Sequence, residues 1–309
     1  MRIAIIGSGA IGSSWAIVFA QVGNEVLMWD PAPAAATAAT GSIRSQLAEL
    51  SQAGLLEEQP DVVLARISVA ASLRAAVETA DHVQENGPEK LDVRRRLFDE
   101  LDEAAPSAAV IASSTSGMAP STFSEGLKGR HRCLVAHPAN PPYLLPLVEL
   151  CPAPWTAPEV MEKTRAMMLA TGRQVAVLQR EAEGFLLNRL QGALLAEAFR
   201  IVADGIAGPD DIDAVVKHAL GLRWSFMGPF ETVDLNAPGG ISDFCARYGA
   251  LYESLQHQML PRAWGPELVD KVAAARRAVL PLTHISQRQA WRDKRLMALA
   301  AYLKTQPPA

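Results

Sequence analysis

His137 and Glu149 are the pair in this sequence best suited to move a proton. Histidine exchanges a proton near neutral pH. Glu149 stands in the apolar run Leu144-Leu145-Pro146-Leu147-Val148-Glu149-Leu150, where an unpaired carboxylate is costly to bury. His137, at a strand end before a proline-rich turn, is its economical partner. The carboxylate would orient the imidazole ring and stabilise the imidazolium. The alternatives are a structural histidine and an ion pair between Glu149 and an arginine. Ser116 follows in Ser113-Ser114-Thr115-Ser116, and Asn188 lies in Gly184-Phe185-Leu186-Leu187-Asn188-Arg189-Leu190. Each also has an ordinary role open to it. Ser116 can cap a helix starting near Pro120, and Asn188 can be a satisfied amide on a partly buried helix.

A second signal is Gly7-Ser8-Gly9-Ala10-Ile11-Gly12, between an apolar strand and an apolar helix. The first glycine permits a tight turn, the second lets backbone approach a pyrophosphate, and the third lets helix and strand pack closely. The helix start at Ala10 and Ile11 offers free N–H groups and the positive end of a dipole to an anion. Asp30 ends the next strand, 18 residues after Gly12. Its carboxylate can accept from adenosine ribose hydroxyls and repels a 2′-phosphate, and Pro31-Ala32-Pro33 brings no arginine to compensate. The expected cofactor is therefore NAD rather than NADP. The alternative is a tight turn that binds nothing.

These residues need a scaffold that brings them together. Expected strands are Arg2–Ile6, Glu25–Asp30, Ile67–Ala70, His82–Glu85, Val110–Ser113, Arg132–His137, Leu147–Leu150 and Val175–Leu178, with helical stretches between several of them. That alternation predicts an α/β unit, a mostly parallel sheet covered on both faces. Asp30, Glu85-Asn86, Ser113 to Ser116 and His137 would then converge outside the carboxyl ends of the strands. Thr156 and Glu159 read as a capping box, with Gly172 as that helix's stop. From Gly184 onward the pattern is helical. The expected division is an N-terminal Rossmann-type dinucleotide-binding domain over 1–182, followed by an all-helical domain over 183–309.

Composition narrows the function classes. Across 309 residues there are 29 Lys+Arg and 33 Asp+Glu, a net charge of −4, which argues against a general nucleic-acid partner. Cys133, Cys151 and Cys245 show no C-x-x-C spacing, so neither a zinc site nor a redox pair is expected, and the reading is a reduced cytoplasm. No run of about 18 apolar residues suggests a membrane span. Glycines and serines interrupt the apolar start, which fits the nucleotide turn better than a signal peptide.

Taken together, the glycine fingerprint, Ser114-Thr115-Ser116, His137-Pro138-x-Asn140-Pro141, Glu149 and Gly184-Phe185-x-x-Asn188-Arg189 resemble the 3-hydroxyacyl-CoA dehydrogenase superfamily. Ala136 to Tyr143, Leu187 to Gln191 and Gly221-Leu222-Arg223-Trp224 through Asn236-Ala237 look most like its lambda-crystallin and L-gulonate 3-dehydrogenase branch. The resemblance implies an NAD-dependent dehydrogenase with His137 as general base and Glu149 as its partner. It implies that Ser116 and Asn188 hold the substrate oxygen, and that Glu85 and Asn140 lie near cofactor and substrate. It also implies a homodimer formed through the helical domain, with Arg223 placed to bind a substrate carboxylate. Arg223 as a surface ion pair is the alternative. The sequence departs from the family at Gln84-Glu85-Asn86-Gly87, at Ala139 and at Gly117.

The favoured substrate is a free 3-hydroxy acid such as L-gulonate. From Pro33 to Ala80 there are three basic residues, Arg44, Arg66 and Arg74, against Glu49, Glu57, Glu58, Asp61 and Glu78, a poor setting for CoA phosphates. A 3-hydroxyacyl-CoA dehydrogenase, a carnitine dehydrogenase and, from another class, a non-catalytic NAD-binding crystallin-like protein are the alternatives. The intact set Ser116, His137, Glu149 and Asn188 argues for the enzyme.

Overall fold

The computed structural model describes residues 1–306. Eight strands form one sheet: β1 Arg2–Ile6, β2 Glu25–Trp29, β3 Ile67–Val69, β4 His82–Glu85, β5 Val110–Ser113, β6 Cys133–Pro138, β7 Leu147–Pro152 and β8 Gln174–Val177. Their order is β3-β2-β1-β4-β5-β6-β7-β8. Every pairing is parallel except β6 with β7. The first six strands follow the doubly wound dinucleotide-binding order, whose switch point lies between β1 and β4.

Alternation along β1 divides the interior. Ile3 and Ile5 pack with Trp15 to Ala20 of α1 (Ala10–Ala20) and with Ile43 and Leu47 of α2 (Pro33–Gln52). Ala4 and Ile6 join Phe98, Leu101, Phe123 and Phe185 on the other face. Covering both faces explains why the strands read as short apolar runs rather than as alternating ones.

Two compact units can be distinguished. One comprises 1–189 and 292–306, the other 190–291. Phe185 is fully buried in one core of the first unit, and Met297, from the last helix, in the other. The second unit is helical, with Pro209–Val215, Gly221–Trp224, Pro229–Asp234, Gly240–Gln258 and Pro266–Val279 among its helices. No helix among the described residues is long and apolar enough to cross a membrane.

The expected capping box is corrected. The helix over Pro158–Ala170 starts from Ala157, with no side-chain cap. The Thr156 hydroxyl instead donates to the Cys133 carbonyl at 2.6 Å and accepts from the Ala153 N–H at 2.8 Å. A buried strand-end carbonyl outcompetes a helix end that water can reach. Gly172 does stop the helix, with φ +76°.

Candidate active site

At the end of β1 the glycine turn is closed by backbone on two sides and open on the third. Gly7 has φ +90°, and a Cβ there would lie 2.8 Å from the Asn86 carbonyl oxygen. A Cβ on Gly12 would lie 1.9 Å from the Gly7 carbonyl oxygen, so helix and turn meet with no space between them. A Cβ on Gly9 would meet nothing within 4 Å. Gly9 also caps α1 without any side-chain bond, and the first turn holds no acid. A diphosphate thus has room to sit over Gly9 against uncapped N–H groups at the positive end of the helix. The Asp30 carboxylate braces this turn, accepting from the Ser8 N–H at 2.8 Å, the Ser8 hydroxyl at 3.0 Å and the Ala32 N–H at 2.9 Å. It keeps lone pairs for a ribose.

Three strands away, the antiparallel β6–β7 register sets His137 directly opposite Glu149. His137 Nδ1 lies 2.7 Å from Glu149 Oε2. The other oxygen, Oε1, accepts from the Leu186 and Leu187 N–H groups at 2.7 and 2.8 Å. Burial pushes the Glu149 carboxyl up. The bonds from His137, Leu187 and Leu186 outweigh it and hold the carboxyl below the usual glutamate value. An ionised carboxylate only accepts, so Nδ1 carries the proton of the neutral ring and Nε2 is left with a lone pair.

The Gly184-Phe185 motif makes that contact possible. Gly184 has φ +74°, and Phe185, a non-glycine, has φ +53°. Left-handed backbone is strained at a bulky residue and persists where packing over-determines it. Phe185 is fully buried, with its ring 5.4 Å from the His137 ring. The double left-handed turn points the next two N–H groups at Glu149.

Beside this pair, Ser116 is held at three atoms. Its N–H and its hydroxyl both donate to Glu89 Oε1, at 2.6 and 3.1 Å. Its carbonyl accepts from Asn188 Nδ2 at 2.5 Å. Glu89 Oε2 accepts from the Thr115 hydroxyl at 2.8 Å and from Arg94 Nη1 at 3.1 Å. Arg94, fully buried, also pairs through Nε with Glu85 Oε2 at 3.1 Å.

With this geometry in place, comparison with known proteins is decisive. Residues 2–182 match the 3-hydroxyacyl-CoA dehydrogenase NAD-binding domain, and residues 184–278 match the C-terminal domain of the same family. The chain belongs to the 3-hydroxyacyl-CoA dehydrogenase family. It stands on the lambda-crystallin branch. It is 43% identical to the lambda-crystallin homolog of Bos taurus, over 99% of this chain and 96% of that protein. It is 36% identical to an L-carnitine dehydrogenase of Pseudomonas sp, over 98% and 94%. Among solved structures it is similar to a 5-formyl-3-hydroxy-2-methylpyridine 4-carboxylic acid 5-dehydrogenase described as an NAD+-dependent dismutase, with TM-score 0.86, 25% identity, and 99% of this chain and 100% of that one covered. As a member of this family the chain is an NAD-dependent oxidoreductase acting on CH–OH groups.

Within this family member the structure gathers His137, Glu149, Ser116 and Asn188 in the first unit, with the Gly7–Gly12 turn and Asp30. Glu85 lies differently from the expectation that it touches cofactor. It is fully buried, and its oxygens accept from the Gly87 N–H at 2.6 Å, the Ser113 hydroxyl at 2.5 Å and Arg94. It shapes the strand end from inside. Asn140 is exposed and precedes the cis Asn140–Pro141 bond. Arg223 belongs to the second unit, in the helix Gly221–Trp224. The cysteines offer no nucleophile at the sheet: burial pushes the Cys133 thiol up to about 12 and the Cys151 thiol up to about 11.

Sequence reasoning missed Glu89 and Arg94. A signal was present. The helix Leu91–Ala104 buries Arg94, Phe98 and Leu101, so an arginine occupies the apolar stripe, and a buried arginine requires acid partners. Also missed was the polar chain behind the departure at Gln84. There Gln84 Nε2 and Trp15 Nε1 donate to Ser114 Oγ at 2.7 and 3.0 Å, and Ser114 donates to Asn86 Oδ1 at 2.8 Å.

Proposed function

We propose that this dehydrogenase oxidises the C3 alcohol of a free 3-hydroxy carboxylate, a sugar acid such as L-gulonate, to the 3-ketone. The observation that carries the mechanism is the His137–Glu149 contact at 2.7 Å, which leaves Nε2 as the base. The substrate hydroxyl rests between Ser116, Asn188 and His137. His137 Nε2 takes the hydroxyl proton, and the O–H bonding pair becomes the second bond of the carbonyl. Bound NAD supplies the acceptor for the hydride that leaves C3. Glu149 stabilises the imidazolium that results. Residues 1–182 serve as the NAD-binding domain and 183–309 as the substrate and dimerisation domain.

A free acid is preferred over a CoA ester because the arm after β2 is poor in available cations. Arg66 is paired with Glu58 at 2.7 Å and Arg44 with Asp61 at 3.3 Å. A guanidinium at Arg223 suits bidentate carboxylate binding. L-Carnitine is the second reading, favoured by the similarity to an L-carnitine dehydrogenase. The test follows NADH formation on L-gulonate, L-3-hydroxybutyrate, L-carnitine and 3-hydroxybutyryl-CoA. Turnover on L-gulonate is expected, with Arg223→Ala raising KM roughly ten- to a hundredfold, the worth of one charge-assisted pair. Turnover on the CoA ester alone would overturn the free-acid reading.

The homodimer rests on a physical argument. Among residues 190–291 only Val202, Thr232 and Ala237 are buried. Ile206, Phe230, Leu235 and Leu260 are each more than 65% exposed. A unit of this length needs a buried core to offset its ordering entropy, and exposed apolar area on this scale marks an interface. Light scattering should give twice the 33.1 kDa of one chain. A monomer stable at nanomolar concentration would refute this. The three free cysteines suit a reducing cytoplasm.

A further inference from the structure

Asn140 is exposed, but it stands on four buried residues, Pro141, Pro142, Tyr143 and Leu144. They belong to the irregular turn over 139–146 that joins β6 to β7 and starts two residues beyond His137. Backbone bonds tie the turn. The Ala139 N–H donates to the Leu147 carbonyl at 3.1 Å, and the Leu144 and Leu145 N–H groups donate to the Pro141 carbonyl at 3.0 and 2.9 Å. Arg173 Nη1 pins the middle, donating to the Pro142 carbonyl at 2.6 Å. Tyr143 and Leu144 sink their side chains into a core that they share with Met297 of the helix Ile285–Lys304, and Leu296 packs against that core.

This helix reaches the first unit from Arg292 onward. Over that stretch Asp293, Leu296, Met297, Ala300 and Ala301 are the buried or half-buried positions. Their spacing of three, four, seven and eight residues is that of one helix face. Burial, followed by the charges of Asp293 and Glu49, pushes the Tyr143 phenol up to about 12, and Arg292 opposes them. Tyr143 therefore lies within electrostatic reach of both the last helix and α2. The family matches end at 182 and 278, so the helix that supports this turn lies beyond both.

We propose that the last helix, through Met297 and Leu296, is a positioning element for the Pro141–Leu144 turn and so holds Asn140 in place at the substrate. A polar residue on an irregular turn is only as well placed as the side chains beneath it, and a close-packed core transmits small displacements. A binding group needs support from neighbours whose own positions are locked. The inference rests on the reading of Asn140 as a residue that meets the substrate.

The test compares two methionines of the same core on whichever of the four alcohols is turned over fastest. Met297→Ala and Met168→Ala each open a cavity there, Met168 from the helix Pro158–Ala170. Both should lower the melting temperature. Met297→Ala alone should raise KM for the alcohol, by about tenfold, well short of the hundredfold that an ångström of misplacement can cost. Its kcat should hold, as for a loss of uniform binding, and its NADH affinity by fluorescence titration should match the parent. Met297→Leu refills the space and should restore KM. Leu296→Ala should raise KM by less, and serves should Met297→Ala fail to fold. In an Asn140→Ala background, Met297→Ala should add nothing to KM. A parental KM in Met297→Ala, or the same rise in Met168→Ala, would overturn the proposal. Weakened NADH binding in Met297→Ala would also overturn it, since the helix would then act on the cofactor. A parental KM in Asn140→Ala would overturn the reading of Asn140, and the role of the helix would fall with it. A raised KM in Asn140→Ala with additive effects would remove the role of the helix alone.

Discussion

His137→Ala should lower turnover by about 10²- to 10⁴-fold, the usual worth of a positioned general base, while NADH binds as before. The measurement is steady-state NADH formation beside a fluorescence titration of NADH. Near-normal turnover would remove His137 from the chemistry. The expected separation of the two readouts follows from position. His137 ends β6, whereas the nucleotide turn follows β1, with β4 and β5 between them. Glu149→Gln tests the same unit from the other side. Glu149 receives His137 Nδ1 on one oxygen and two backbone N–H groups on the other. A glutamine has a single acceptor oxygen. It must set its NH2 group against the Leu186 and Leu187 N–H groups or against Nδ1–H, leaving buried donors unmet. Because the Glu149 carboxyl is held below its ordinary value in the folded chain, its contribution to stability is complete above the unfolded glutamate pKa. That contribution fades as pH falls through the lowered folded value. Glu149 therefore stays ionised and keeps its bonds to His137, Leu186 and Leu187 at neutral pH.

The second large effect is on stability. Arg94→Met replaces a fully buried guanidinium with an uncharged side chain of similar reach. Glu85, with a side chain only 1% exposed, then faces the interior as an unpaired charge. Removing one partner of a buried pair costs about 3–5 kcal/mol, which for a unit of this size corresponds to a melting temperature lower by roughly 6–20 °C. Thermal denaturation monitored by circular dichroism measures this. Adding Glu85→Gln to Arg94→Met should recover part of the loss, because the stranded charge is then gone, the Gly87 N–H keeps the amide oxygen as acceptor, and the Ser113 hydroxyl can turn to accept from the amide NH2. A single variant that melts with the parent would show that the interior tolerates the charge and that the Glu85–Arg94–Glu89 chain is not structural.

Much of the fold was legible because its determinants are local. All eight expected strands form, most within a residue or two of their expected bounds. Short apolar runs bounded by turn residues are a property of neighbouring positions, and the doubly wound order follows from right-handed crossovers. The glycine turn was equally legible, since a positive φ at Gly7 and the close packing at Gly12 act over a few residues. The Thr156–Glu159 capping box failed for the opposite reason: Thr156 found a carbonyl 23 residues away. Glu85 was assigned outward on the strength of its strand end. Which way its carboxylate turned depended on Arg94, nine residues on, reaching back from a helix.

By itself, then, the sequence determined the nucleotide-binding unit, the choice of an acid at Asp30, the candidates His137, Glu149, Ser116 and Asn188, and membership of the family. These depend on residue type and spacing. Only the tertiary structure decided how the candidates are connected. The antiparallel register of β6 and β7 sets His137 against Glu149. The strained Phe185 turn brings two N–H groups to the same carboxylate. Arg94, on the apolar stripe of its helix, ties Glu85 to Glu89 and so to Ser116. Buried polar groups take whichever partners are excluded from water alongside them, and that company is set by how elements distant in the chain pack.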